Sequence, residues 1–351
     1  MPMVDINQID VIAPNFKRRL SGVTSTVVRL VPLQAQEIAI AACAPALPNH
    51  VPNIPWQHLL TMPRQGPNGA RVWHARRNVE MIAGLVLRAF GKNLKLVFTS
   101  ASQREHTRLT RALIARMDAV IATSAKTAGY LECPATVIHH GIDTETFAPA
   151  SDRDVARTAL GLPADGPLVG CLGRIRAQKG TDVFVNAMIA VMRTHPSAHA
   201  VVLGRALPKD RAFLDDLKSR VASAGFEERV LFLDEVPVWE TPKYYQAMDL
   251  YIAPQRWEGF GLTPLEAMAC GAPVIATRVG AFEELVTEGE TGHLIPPDDE
   301  TAMAEAALAL LKAPDRLAKM SKAARADMVA RFQLKQEADA ITRIYRELLG
   351  T

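Results

Sequence analysis

The chain has 351 residues, 48% of them hydrophobic and 22% charged, which excludes a disordered or fibrous protein and asks for two cores rather than one. The opening residues lack the basic start and apolar run of a secretory signal, and no stretch of about 18 apolar residues follows, so a cytoplasmic protein is expected. The net charge of +3 hides an asymmetry: up to residue 150 there are 16 Lys and Arg against 9 Asp and Glu, and beyond it 24 against 28. That split predicts an anionic partner for the first half, an acidic acceptor or a lipid surface, unless the basic faces are merely solvated.

In the first half a strand over 9–13 runs into a Ser21-Gly22 turn and a helix through Val23, Val27, Leu30 and Val31, the opening of a βα unit. Apolar runs over 71–73, 94–99 and 119–123 alternate with helical patterns over 76–90 and 104–117, which predicts a parallel sheet with helices on both faces. Pro149, Gly161, Pro163, Gly166 and Pro167 mark a linker, placing the domain boundary between residues 150 and 151.

A second series follows, with strands over 168–173, 200–203, 230–233, 250–253 and 274–276 and a helix from about Thr181. It is expected to end near residue 332, leaving 333–351 as a C-terminal helix able to pack back on the N-terminal domain. The fold class is α/β: two doubly wound parallel-sheet domains, with the ligand site expected in a cleft where their strand ends face one another. Cys43, Cys133, Cys171 and Cys270 lack C-x-x-C spacing and read as reduced structural residues, with neither zinc nor disulfide implied.

The densest chemistry lies over 253–275, where a strand leads through a glycine-containing loop to a helix and a further strand. Thr263 suits an N-cap, Pro264 the first helical position, Glu266 stands three residues after the cap, and Gly271 can end the helix. The free N–H groups around Gly261 and Leu262 would favour a phosphate or an electron-rich sugar oxygen. Glu258 and Glu266 can each accept from sugar or ribose hydroxyls. The plainer alternative makes Glu266 part of a capping box and Glu258 an exposed loop charge.

With Gly259, Gly261, Pro264 and Pro273, this stretch resembles the E-x7-E signature of the retaining glycosyltransferases of the GT4 family, which have the GT-B fold of two Rossmann-like domains. Gly173-Arg174-Ile175-Arg176-Ala177-Gln178-Lys179-Gly180 is similar to that family's phosphate segment. The resemblance implies that Arg174 and Lys179 hold the donor diphosphate, that Glu258, Phe260, Gly261, Leu262 and Glu266 line the donor, and that Gly22 approaches it from the first glycine loop. Two fixed cations would stabilise the departing diphosphate with no metal or other cofactor. His74, at a strand end, matches a histidine that contacts the transferred sugar in family members.

The resemblance covers essentially the whole chain. At a finer level Ala13-Pro14-Asn15-Phe16-Lys17-Arg18-Arg19-Leu20-Ser21-Gly22 and Trp73-His74-Ala75-Arg76-Arg77-Asn78 look like the inner-core lipopolysaccharide mannosyltransferases, as does Thr99-Ser100-Ala101-Ser102-Gln103-Arg104-Glu105-His106. That narrower likeness implies GDP-mannose as donor and a Kdo-bearing lipid A precursor as acceptor. Lys17, Arg18, Arg19, Arg76, Arg77, Arg104, Arg108 and Arg111 would then meet its carboxylates and phosphates, with the last three on one helix face. The family's N-G-V-D becomes His140-Gly141-Ile142-Asp143 here.

The stretch 75–95 could rest on the inner leaflet of the inner membrane with Met81, Ile82, Leu85 and Phe90 inserted, or could pack those residues on its own sheet. Rival readings are a GT4 enzyme using a UDP-sugar on another acceptor, a non-catalytic nucleotide-sugar-binding protein, and a dinucleotide-dependent oxidoreductase. The last lacks its G-x-G-x-x-G after the first strand.

Overall fold

The computed structural model describes residues 4–17 and 22–351. The chain forms two compact units, Met1–Gly141 with Leu334–Thr351, and Ile142–Gln333.

The first unit contains β1 (Val11–Pro14), β2 (Ile40–Cys43), β3 (Arg71–Ala75), β4 (Leu94–Ser100), β5 (Ala119–Ala122) and β6 (Thr136–Val137), all parallel, in the order β2-β1-β3-β4-β5-β6. Period-two alternation sends Val11 and Ala13 into one apolar layer and Ile12 into the other, so β1 is buried on both sides and reads as a continuous apolar run.

The second unit contains β7 (Leu168–Leu172), β8 (His199–Leu203), β9 (Val230–Leu233), β10 (Leu250–Ala253), β11 (Val274–Thr277) and β12 (Gly292–Ile295), again parallel, in the order β12-β11-β10-β7-β8-β9. Both sheets are therefore doubly wound. Strand order reverses between β1 and β3 in the first and between β7 and β10 in the second, where such folds open a crevice beyond the strand ends.

Several expectations need correction. The boundary falls at 141/142 rather than 150/151, because the Ile142 amide donates to the Phe332 carbonyl (2.7 Å) and Ile142 and Phe147 already belong to the second unit's core. The helix expected over 104–117 is Arg108–Ile114: the Thr107 side chain accepts from the Thr110 amide and so sets a later start. Arg104 thus lies in the preceding loop, not on a shared face with Arg108 and Arg111. Strands β2 and β12 were not anticipated; both are sheet edges, and β2 carries two alanines, weak strand formers.

The C-terminal helix Leu334–Leu349 packs on the helix Gly22–Gln34 and on β3, all within the first unit. Gln34 Nε2 donates to Thr342 Oγ1 at 3.3 Å, and buried Glu337 accepts from His140 Nδ1 (2.7 Å) and the Gly141 amide (2.8 Å). Burial raises the Glu337 pKa, but the neighbouring His140 and its hydrogen bond outweigh that and hold it below the ordinary value. All four cysteines are free, and burial pushes the Cys43 and Cys171 thiols up to about 12.

Candidate active site

In the second unit β7 and β10 are hydrogen-bonded neighbours at the switch point, so the two loops that follow them meet. After β7, Gly173 turns at φ +137, Arg174 is exposed, Ile175 anchors the loop in the core, and a short turn Ala177–Lys179 ends at Gly180 with φ +67. A Cβ on Gly180 would lie 1.8 Å from the Pro254 carbonyl oxygen, so only glycine lets this loop rest on the one after β10. The helix Thr181–Thr194 starts there.

Several contacts join the loops, among them one from the Arg256 guanidinium to the Ala177 carbonyl. The Arg256 amide donates to the Gln178 carbonyl (3.1 Å), and the Arg256 guanidinium grips both Asp182 oxygens (2.7 and 2.8 Å). Lys179 Nζ lies 2.5 Å from Glu258 Oε2, with both side chains mostly buried. The fork geometry raises the Arg256 pKa; at Asp182 burial pushes up, and the Arg256 bonds and charge offset it, leaving the carboxyl below its ordinary value. Arg256 is a site-building residue that sequence reasoning missed, since its partner stands 74 positions away.

The β10 loop continues through Glu258, whose Oε1 accepts from the Gly259 amide (3.0 Å), to Gly261 at φ +93 against the Phe282 ring. The helix Thr263–Ala269 has Leu262 as N-cap with no side-chain cap bond. This corrects the expected Thr263 cap and capping box: Thr263 is already helical, and Glu266 Oε2 instead accepts from the Tyr245 hydroxyl (2.8 Å). Phe260 places its side chain in the core, so any donor contact falls to its backbone. Leu262 is partly buried on that core.

Gln255 Oε1 and Arg176 Nε, both in these loops, are buried with no hydrogen-bond partner. Each orphan costs roughly 1–3 kcal/mol unless a ligand or water completes it. Among the described residues no group of three or more His, Cys, Asp or Glu is gathered as a metal site.

The switch point of the first unit is different. His74 is fully buried, with Nδ1 on the Tyr345 hydroxyl (2.5 Å) and Nε2 on Thr99 Oγ1 (2.6 Å). Burial, then the Arg76 charge, hold its pKa well below the ordinary value, and burial pushes Tyr345 up to about 12. Both ring nitrogens of His74 are thus engaged inside the first unit, and its side chain stands in the core.

Buried Arg76 lies beside the His74 ring, and its amide donates to Glu80 Oε2 (2.7 Å). Arg77 donates to Asn15 Oδ1 (2.7 Å) and Glu80 Oε1 (2.8 Å). Arg76 is therefore buried, and Arg77, partly exposed, is held by partners of its own unit. Lys17, Arg104 and Arg108 are exposed; Arg111 pairs with Glu132; Arg18 and Arg19 lie outside the described residues. Gly22 is the first, exposed residue of its helix, with open space where a Cβ would stand. Ser100 Oγ, at the end of β4, and Thr123 Oγ1, just past β5, are buried orphans.

No helix among the described residues is long and apolar enough to cross a membrane. The family described as Glycosyl transferases group 1 matches residues 152–327, half of the chain. The lipopolysaccharide core biosynthesis mannosyltransferase LpsB of Rhizobium meliloti (strain 1021) is 52% identical over 99% of this chain and 100% of its own length. The like-named LpcC of Rhizobium leguminosarum bv. viciae is 47% identical over 99% of each. Among solved structures, Anabaena Alr3699/HepE in complex with UDP superposes with a TM-score of 0.84 at 20% identity, covering 97% of this chain and 100% of that one. That likeness fixes the fold as GT-B.

Proposed function

The chain belongs to the group 1 glycosyltransferases, and on that premise we propose that it transfers mannose from GDP-mannose, with retention, to a Kdo-bearing lipid A precursor in lipopolysaccharide core assembly. The end-to-end likeness to two core mannosyltransferases carries this reading. The Lys179–Glu258 contact at the switch point, with Arg174 exposed in the same loop as Lys179, supports its chemistry.

In this reading the donor diphosphate takes Lys179 from Glu258 and is met from the exposed side by Arg174. Glu258, released, accepts from a sugar hydroxyl, and Glu266 from the ribose. The acceptor hydroxyl oxygen bonds to the anomeric carbon on the face from which the diphosphate departs. The carbon–oxygen bond to the phosphate breaks, and the hydroxyl proton passes to the leaving phosphate oxygen. Arg174 and Lys179 stabilise the charge that grows on that leaving group, so no metal is required. No carboxylate nucleophile is invoked, because both glutamates are assigned to hydroxyl recognition.

The donor is held by the second unit and the acceptor by the first, where exposed Lys17, Arg104 and Arg108 suit its anionic groups. The place of action is the cytoplasmic face of the inner membrane. The test supplies radiolabelled GDP-mannose or UDP-glucose with a Kdo-modified lipid A precursor and a chelator. Label entering lipid from GDP-mannose alone, with chelator present, is the expected result; label from UDP-glucose, or a chelator-sensitive signal, overturns the reading.

A further inference from the structure

The outward stripe of the helix Asn78–Ala89 is bare. Val79, Ile82 and Val86 recur at the spacing of one helix face, Phe90 follows it, and they are 51, 41, 47 and 78% exposed. Met81, Gly84 and Leu87 fill the opposite, buried face, so Met81 cannot insert into a membrane as the sequence pattern suggested. Leu85 is partly buried on the core as well.

The stripe extends at both ends. Lys92 Nζ donates to the Leu60 (3.5 Å) and Met62 carbonyls, which brings exposed Leu60 to the Phe90 end. Asn78 Nδ2 donates to Thr110 Oγ1 (2.8 Å), which ties on the helix Arg108–Ile114 and its exposed Leu109.

The surrounding charge is mainly basic, with Asp118 and Glu132 paired to Arg88 and Arg111 and Glu105 exposed at the Arg108 end. Residues 38–104 contain eight Lys and Arg and a single acid, Glu80, which is buried on Arg77. Exposed Arg64 stands beside Gly91 at one end of the stripe and exposed Arg108 at the other, neither with an acidic partner among the described residues. A second copy is a poor occupant: a two-fold contact that crossed two stripes antiparallel would set Arg64 against Arg108, a like-charge contact.

We propose that this face docks on an anionic bilayer, with the apolar stripe at the headgroup boundary and Arg64 and Arg108 on lipid phosphates. The proposal deepens the reading of a membrane-borne acceptor and rests on it for its purpose, while its test needs no sugar.

The full-length protein is sedimented with phosphatidylcholine vesicles and with the same vesicles carrying phosphatidylglycerol. The expected result is binding to the anionic vesicles alone, about fivefold weaker for Arg64→Ala and at least about tenfold weaker for Ile82→Ser/Phe90→Ser. The double variant should keep its melting temperature and its transfer to a water-soluble, deacylated acceptor. The proposal is overturned by wild-type protein that ignores both vesicles, by a double variant that binds as tightly, or by a dimer that the double variant dissolves. Vesicle binding together with failure of all mannose transfer would instead discard the sugar reading and leave the docking surface standing.

Discussion

Both units reverse their strand order at a switch point, yet the side chains gathered there differ in kind. Beyond β1 and β3, Asn15, Arg77 and Glu80 bind one another, and His74 is sealed between Thr99 and Tyr345 of the C-terminal helix. Beyond β7 and β10, Arg174 stands in solvent and Lys179 and Glu258 share one partly exposed contact. A buried charge must find a local partner, and once satisfied on all sides it is withdrawn from any ligand. A cation in a glycine loop with a single exchangeable partner keeps its charge available. Substitutions at the first switch point should therefore cost stability, and those at the second should cost turnover.

The largest effect is expected from Lys179→Ala, which removes one of two cations from the leaving diphosphate. Turnover should fall by roughly 10²–10³, with the melting temperature nearly unchanged; a loss confined to KM would mean that Lys179 binds the donor without helping it depart. Glu337→Gln probes the opposite case. It leaves the His140 and Gly141 donors with one good acceptor in place of two, and denaturant unfolding should show a loss of about 3 kcal/mol. An unchanged midpoint would break the claim that the first unit is held by such internal pairs.

Arg256→Lys tests how the two loops of the second unit are held. Lysine cannot reproduce the two-pronged grip on Asp182, so the loops should separate slightly and donor KM rise by about fivefold, or roughly 1 kcal/mol in this partly exposed setting. A change in stability with KM intact would make Arg256 a structural clamp only.

The alternation of apolar runs with helices made both doubly wound sheets legible, because parallel strands buried on two sides leave little room for polar residues. The loops after β7 and β10 were legible too, since a backbone that must turn tightly beside a phosphate needs glycines, and the phosphate needs cations, at fixed spacings. What misled was the assumption that a basic residue near a strand end faces a ligand. Spacing shows that Arg76 and Arg77 follow β3, but not that Glu80 folds back to meet Arg77 and the Arg76 amide. It also cannot show that a tyrosine 271 positions away closes over His74, or that Asp182 holds Arg256. The Glu80 contacts are local, three and four positions apart, whereas those of Tyr345 and Asp182 join distant positions and leave no local pattern.

His74 offers the finest test, because its two roles predict opposite pH behaviour. Its pKa lies well below 6.5 in the folded protein and near 6.5 in the unfolded chain. Below that value the unfolded chain takes up a proton that the folded protein refuses, so stability must fall as pH drops from 6.5, by up to about 1.4 kcal/mol per pH unit. The groups facing the ring are the hydroxyls of Thr99 and Tyr345, which stay neutral there, and the Arg76 guanidinium, which opposes protonation. Glu337 also loses stability on acidification, but only below 4.5, where its carboxylate begins to be protonated in the unfolded chain. His106, held below its ordinary value by burial and the Arg104 charge, acts with the same sign, so His74 accounts for the part of the slope between about pH 5 and 7 that its own substitution removes. His74→Asn should lose about 1 kcal/mol at neutral pH with the Thr99 bond and should flatten the slope, with turnover per folded molecule unaltered. A retained slope together with a large loss of turnover would return His74 to the reacting sugar and erase the contrast between the two switch points.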